Sequence, residues 1–205
     1  MYPFQWAKET VIECFKRGLK EVLNRSMHLA SWQGANEAFL ESYGLKVDAG
    51  ATKVCIIADY MDWVIKIGFT RRYEKDPTPI DFCEIEHKNF IAARREGVDR
   101  FLAPMYLVGA YEGIKIYIQQ REETNNEMIR DSLKGYYESA YCTEYYSDYC
   151  DMDEEETILA VLGPSKGVND FIDFVLTHEI NDLHNLNWGV NSAGQAVLID
   201  YSGYF

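Results

Sequence analysis

Asp182, Asn187 and Asp200 are the residues of this chain whose types and spacing most directly suggest chemistry. They lie in Asp182-Leu183-His184-Asn185-Leu186-Asn187-Trp188-Gly189 and in Val197-Leu198-Ile199-Asp200-Tyr201-Ser202-Gly203. An amide follows the first carboxylate by five residues, and a second carboxylate follows thirteen later. Carboxylate and amide oxygens are the ligands that a hard cation such as Mg2+ prefers. Asn187 and Asp200 are therefore candidate metal ligands, and Asp182 is a candidate to orient an attacking hydroxyl or water. Phosphoryl transfer needs that division of labour, together with a lysine on the phosphates and an ion pair that holds the lysine.

Candidates for the remaining parts occur upstream. Lys66 lies in the β-rich run Trp63-Val64-Ile65-Lys66-Ile67, where burial would require a partner or an anionic ligand. Twenty residues on, Glu86 sits in a segment of helical spacing, beside the apolar face of Phe90 and Ile91. It is the expected partner of Lys66, with Glu84 a close competitor. In Asp48-Ala49-Gly50-Ala51-Thr52-Lys53, Gly50 allows the backbone to approach a phosphate and Lys53 adds charge. Each residue also has a plainer reading: an outward strand lysine, solvated helix acids, turn residues, and for His184 a core histidine satisfied by backbone. The order in which they occur is what sets them apart.

Taken together, these residues resemble the protein-kinase-like phosphotransferases that include aminoglycoside and choline kinases. Asp182-Leu183-His184-x-x-Asn187 is similar to the D-x-H-x-x-N loop of the small-molecule branch. Ile199-Asp200-Tyr201-Ser202-Gly203 resembles its metal loop, and Val64-Ile65-Lys66 resembles V-A-I-K on the third strand of the small lobe. The resemblance runs from about residue 45 to residue 203. It implies an ATP- and Mg2+-dependent phosphotransferase in which Lys66 contacts phosphates and pairs with Glu86. Asp182 would be the catalytic carboxylate, and Asn187 and Asp200 would bind Mg2+. Backbone groups of the link Gln119-Gln120-Arg121-Glu122, Gln120 and Glu122 among them, would face an adenine. Val54, Ile65, Ile118 and Leu198 would form apolar walls for that base.

The chain departs from this pattern in three places. The phosphate loop has one glycine instead of a series. Ile180-Asn181 stands before Asp182, where the family has His-Gly or His-Arg. The sequence also stops at Phe205, where acceptor-binding helices would follow. The expected acceptor is thus a small molecule or the protein itself, its identity unassigned. The alternative is a kinase-like scaffold that binds nucleotide or protein without turnover.

The elements that must position these residues read as an α+β, two-lobed fold. Residues 1–43 form a helical extension, 44–120 a small lobe of antiparallel strands with one helix, and 121–205 a reduced, mostly helical lobe. Apolar residues recur at helical intervals over 5–31, stop at Ser31-Trp32-Gln33-Gly34, and resume over 35–43. Strands are expected at 53–57 and 63–67, around a turn at 58–62. A helix follows over 81–97, then strands at 101–108 and 114–119 around a turn at 110–113. A helix from 169 through Ile180 leads into Asp182. The acidic, Tyr-rich segment 122–156 reads as the variable helical region of the large lobe; its other reading is a lid, a set of self-phosphorylated tyrosines or a surface for a protein partner.

Bulk properties narrow the classes further. The chain has 205 residues and a net charge of −13, so it would repel nucleic-acid phosphates and anionic membrane surfaces. No apolar stretch is long enough to span a bilayer, and the start lacks a basic region followed by an apolar run. Cys14, Cys55, Cys83, Cys142 and Cys150 are an odd set without metal-type pairing. The expectation is reduced thiols in a cytoplasmic protein.

Overall fold

Four helices precede the first strand: α1 (Pro3–Lys16), α2 (Leu19–Leu23), α3 (Leu29–Ala35) and α4 (Glu37–Ser42). This is a computed structural model, and it describes residues 2–70, 80–124, 126–133 and 153–203. Pro3 opens α1, where its fixed φ suits the first turn and its missing N–H is not needed. The helical periodicity over 5–31 is not one element. Gly18, at φ 87°, separates α1 from α2, and Arg25, at φ 61°, turns the chain after α2. Ser31–Gly34, expected as a break, lies inside α3. The reason is Trp32: it is buried, and its Nε1 donates to the Arg17 carbonyl at 2.8 Å, just past the end of α1.

The chain divides into two compact units, residues 1–87 with 104–121 and residues 88–103 with 122–205. The first unit holds these helices and a five-stranded antiparallel sheet of order β1-β2-β3-β5-β4. Its strands are β1 (Leu45–Ala49), β2 (Lys53–Ala58), β3 (Trp63–Gly68), β4 (Met105–Tyr111) and β5 (Ile114–Gln120). Ile56, Ile65 and Ile118 stand opposite one another across three strands. With Val54, Ile67 and Ile116 they form one face, which packs in a common core with Trp6, Val11, Phe15, Leu19 and Leu23 of the helices. The other face carries Lys53, Cys55, Lys66 and Tyr117 and receives the first turns of α5 (Phe82–Glu96).

Two strand boundaries differ from expectation. β4 begins at Met105, because Phe101 ends a 3-10 turn (Asp99–Phe101) and Pro104 has no N–H for a ladder. Ala103 instead donates to the Leu198 carbonyl at 2.9 Å, within the second unit. The turn expected at 110–113 is shorter: Ala110 and Tyr111 stay paired, leaving Glu112 and Gly113 at φ 49° and 81°. Positive φ at both central residues matches a two-residue hairpin to the twist of its strands.

The second unit contains α6 (Glu127–Ser132), α7 (Glu154–Leu162), α8 (Val168–Thr177) and a small sheet. That sheet pairs β6 (Glu123–Thr124), β7 (Trp188–Val190) and β8 (Ala196–Leu198) in order, all antiparallel. Asn126 and Asp153 cap α6 and α7 by accepting from the N–H groups of Met128 and Glu156. α8 buries Phe171, Ile172, Phe174 and Val175, with the Phe171 ring 4.9 Å from that of Phe101. α8 ends at Thr177, three residues short of the expected end. Glu179 adopts φ 54°, and the Ile180 N–H returns to the Val175 carbonyl at 3.0 Å.

Of the Tyr-rich segment, residues 125 and 134–152 lie outside the described residues, as do Cys142 and Cys150. Cys14, Cys55 and Cys83 are free thiols, and burial pushes the Cys14 thiol up to about 12. Among the described residues, no helix is long and apolar enough to cross a membrane.

Candidate functional site

The sequence-derived candidates fall into two constellations, one in each unit. In the first unit, antiparallel pairing sets Lys66 opposite Cys55 and Lys53 opposite Gly68. Lys53 and Lys66 therefore share one face of the sheet as diagonal neighbours. Glu86, on the second turn of α5, meets both: Lys66 Nζ is 2.9 Å from its Oε2, and Lys53 Nζ is ion-paired to its Oε1. Glu86 is 0 % exposed, Lys53 4 % and Lys66 6 %, so the cluster sits where water cannot screen it. Glu84, the competitor for Lys66, pairs instead with Lys115 at 2.6 Å in a partly solvated position. Cys83 borders the cluster, and burial together with the Glu86 carboxylate holds its thiol well above the ordinary range.

The turn around Gly50, expected to approach a phosphate, is closed by its own backbone. Lys53 is the first residue of β2, and the Gly50 N–H donates to the Lys53 carbonyl at 3.1 Å, closing the β1–β2 turn. A Cβ on Gly50 would meet nothing within 4 Å, so close packing is not what requires glycine there.

The proposed adenine walls need correction. Val54, Ile65 and Ile118 face the N-terminal helices, on the side of the sheet opposite Lys66. Leu198 belongs to the second unit and is buried in β8. Two N–H groups of the expected link are engaged within the fold, Gln120 with the Pro104 carbonyl and Arg121 with the Asp62 carbonyl, each at 2.9 Å.

Glu122 begins the second stretch of the other unit, and burial pushes its carboxyl from an ordinary value of 4.5 to about 7. The folded state thus holds this proton more tightly than the unfolded chain does. The associated stability is fully present below pH 4.5 and is lost as pH rises to about 7. Glu122→Gln cannot ionise. Its melting temperature, followed by thermal unfolding, should decline less than the parent's across that window.

The second constellation is organised by the β7–β8 hairpin. Trp188 pairs with Leu198, which carries Asn187 and Ile199-Asp200 to the same end of the ribbon. The Asn187 carbonyl accepts from the Ile199 N–H at 2.7 Å and from the Asp200 N–H at 3.4 Å. Asn187 Nδ2 donates to the Asp182 carbonyl at 2.8 Å, so Oδ1 is the atom it would present to a cation. Ser202 Oγ donates to Asp200 Oδ1 at 3.1 Å. Trp188 is fully buried, and its Nε1 donates to the Leu183 carbonyl at 2.9 Å, supporting the loop from beneath.

His184 is not a core residue. Its ring is partly exposed, Nδ1 accepts from the Leu186 N–H at 3.2 Å, and Nε2 lies 3.4 Å from Asp182 Oδ1. The acceptor role of Nδ1 places the proton of the neutral ring on Nε2, facing the carboxylate.

Several supporting residues escaped sequence reasoning. Asn89, three residues after Glu86 on α5, donates through Nδ2 to the Tyr201 carbonyl at 2.7 Å. Tyr201 donates through its hydroxyl to the Ala103 carbonyl at 2.7 Å, so the residue that follows Asp200 is held at both its backbone carbonyl and its side chain. Gly203 adopts φ 74°, and a Cβ there would come within 2.5 Å of the Glu179 carbonyl oxygen. Only glycine meets both conditions. The periodicity that marks Glu86 for the sheet places Asn89 nearly a turn further on, which is the one signal that could have found it.

Among the described residues, no group of three or more His, Cys, Asp or Glu side chains is placed to hold a metal ion. Asn187 and Asp200 carry hard oxygen donors of the type Mg2+ prefers. No protein-family model matches the chain, and none of the curated proteins is similar to it in sequence.

Proposed function

We propose that this chain is an ATP- and Mg2+-dependent phosphotransferase with a two-lobed, protein-kinase-like fold, acting on a small molecule or on itself. The observation that carries this reading is the buried Lys66–Glu86 ion pair, at 2.9 Å, on the strand and helix where the motif order requires it. Glu86 positions the Lys66 ammonium, which binds phosphate oxygens. Asn187 Oδ1 and the Asp200 carboxylate would hold the cation, which would supply positive charge against that of the phosphates. Asp182 orients the acceptor hydroxyl and takes up its proton.

A second reading is a nucleotide-binding scaffold without turnover. It is favoured by Lys53, which occupies the second Glu86 oxygen, and by the Gly50 amide, which is spent on its own turn.

Thermal unfolding with ATP, with and without Mg2+, tests both. A ligand at a hundred times its Kd stabilises the native state by about 2.7 kcal/mol, so the melting temperature should rise. Asp200→Ala should keep the shift caused by ATP alone and lose the increment that Mg2+ adds. If millimolar ATP with Mg2+ leaves the parent unmoved, neither nucleotide reading survives.

A further inference from the structure

We infer that the Gln119 side chain reads the base of the bound nucleotide by donating a hydrogen bond to it. The inference rests on the nucleotide reading above and names a contact that reading does not contain. Gln119 is 3 % exposed, and its Nε2 has no hydrogen-bond partner. A buried amide without a partner is destabilising, so such a group calls for an acceptor that the chain itself does not supply. Among the described residues only Trp6 Nε1 shares this condition, and Trp6 lies in the core on the opposite side of the sheet.

The register places Gln119 usefully. It stands opposite Val64 on β3, while Tyr117 stands opposite Lys66. Gln119, Tyr117, Val64 and Lys66 therefore share one face, and the His87 ring packs on Tyr117 from α5, 5.6 Å between centroids. The two-residue offset from Val64 to Lys66 is about 7 Å along the strand. A nucleotide with phosphates at Lys66 would bring its base toward Gln119, with the half-buried Val64 beneath it. The backbone offers less at this end of β5, since the N–H groups of Gln120 and Arg121 are already used. The ligand class is a purine nucleotide that turns a ring nitrogen or carbonyl acceptor toward the carboxamide.

Gln119→Leu removes the unpartnered donor at similar size, and Gln119→Glu keeps the shape while replacing the NH2 group. Calorimetric titration of parent and variants would use ATP, adenosine and tripolyphosphate as separate probes. In both variants Kd should rise about tenfold for ATP and by the same factor for adenosine, with tripolyphosphate unaffected. The unliganded Gln119→Leu protein should melt at or above the parent temperature, because an unsatisfied buried group has gone. Gln119→Met serves if leucine does not fit. Parent-like ATP affinity in the variants would overturn this inference alone and leave the phosphotransferase reading standing. A loss for ATP but not for adenosine would also overturn it, by moving the contact to the phosphate end. A parent that binds none of the three probes would overturn both.

Discussion

Glu86→Ala should lower the free energy of unfolding by roughly 3–5 kcal/mol, the range for removing one partner of a buried ion pair. The physical reason is specific to this cluster. Both carboxylate oxygens are used, one by Lys53 and one by Lys66, and Glu86 is completely buried. Truncation would leave two ammonium groups in a low-dielectric setting without the carboxylate that faces them. Glu84→Ala provides the contrast. Its pair with Lys115 is partly solvated, and pairs of that kind contribute about 0–1 kcal/mol. Denaturant titration of the two variants separates these cases. Equal small losses would mean that the Glu86 cluster is not the buried keystone described above.

Asp182→Ala should lower turnover by roughly 10²–10⁴-fold while leaving ATP affinity nearly unchanged, as expected for a carboxylate that acts on the acceptor's proton. Phosphate release or self-labelling, measured beside nucleotide binding, would show this split. The effect should be large because the carboxylate is held in place. His184 Nε2 faces Oδ1 at 3.4 Å, Asn187 binds the Asp182 carbonyl, and Trp188 buttresses Leu183 next to it. Pre-set geometry of this kind is lost along with the side chain. Matching rates in parent and variant would remove Asp182 from the catalytic role and favour the scaffold reading.

Some of this architecture is legible in the sequence. Strands around Lys66 and the helix bearing Glu86 carry local signals: β-branched runs and helical spacing. Those signals fail where both sides of an element are covered. In β2 and β3, burial runs almost without alternation, because helices pack on one face and α5 on the other. A continuous apolar run does not say which face meets which layer. That is why Val54, Ile65 and Ile118 looked like walls for a base when they are the core beneath the helices. Trp32 misled in a similar way. Its neighbours read as a break, yet a bond to the Arg17 carbonyl and burial in the core hold them in a helix.

By itself, the sequence determined an α+β chain with its charged candidates in a phosphotransferase-like order, because those features follow from composition, period and spacing. Tertiary structure decided which of two glutamates meets Lys66, because only the docking of α5 on the sheet selects between helix positions. It also turned Lys53 from a loop charge into a second buried partner of Glu86, since strand register sets where that side chain points. The meeting of Asn187 with Asp200 was likewise a matter of hairpin register. Thirteen residues apart in sequence, they become neighbours only when Trp188 pairs with Leu198.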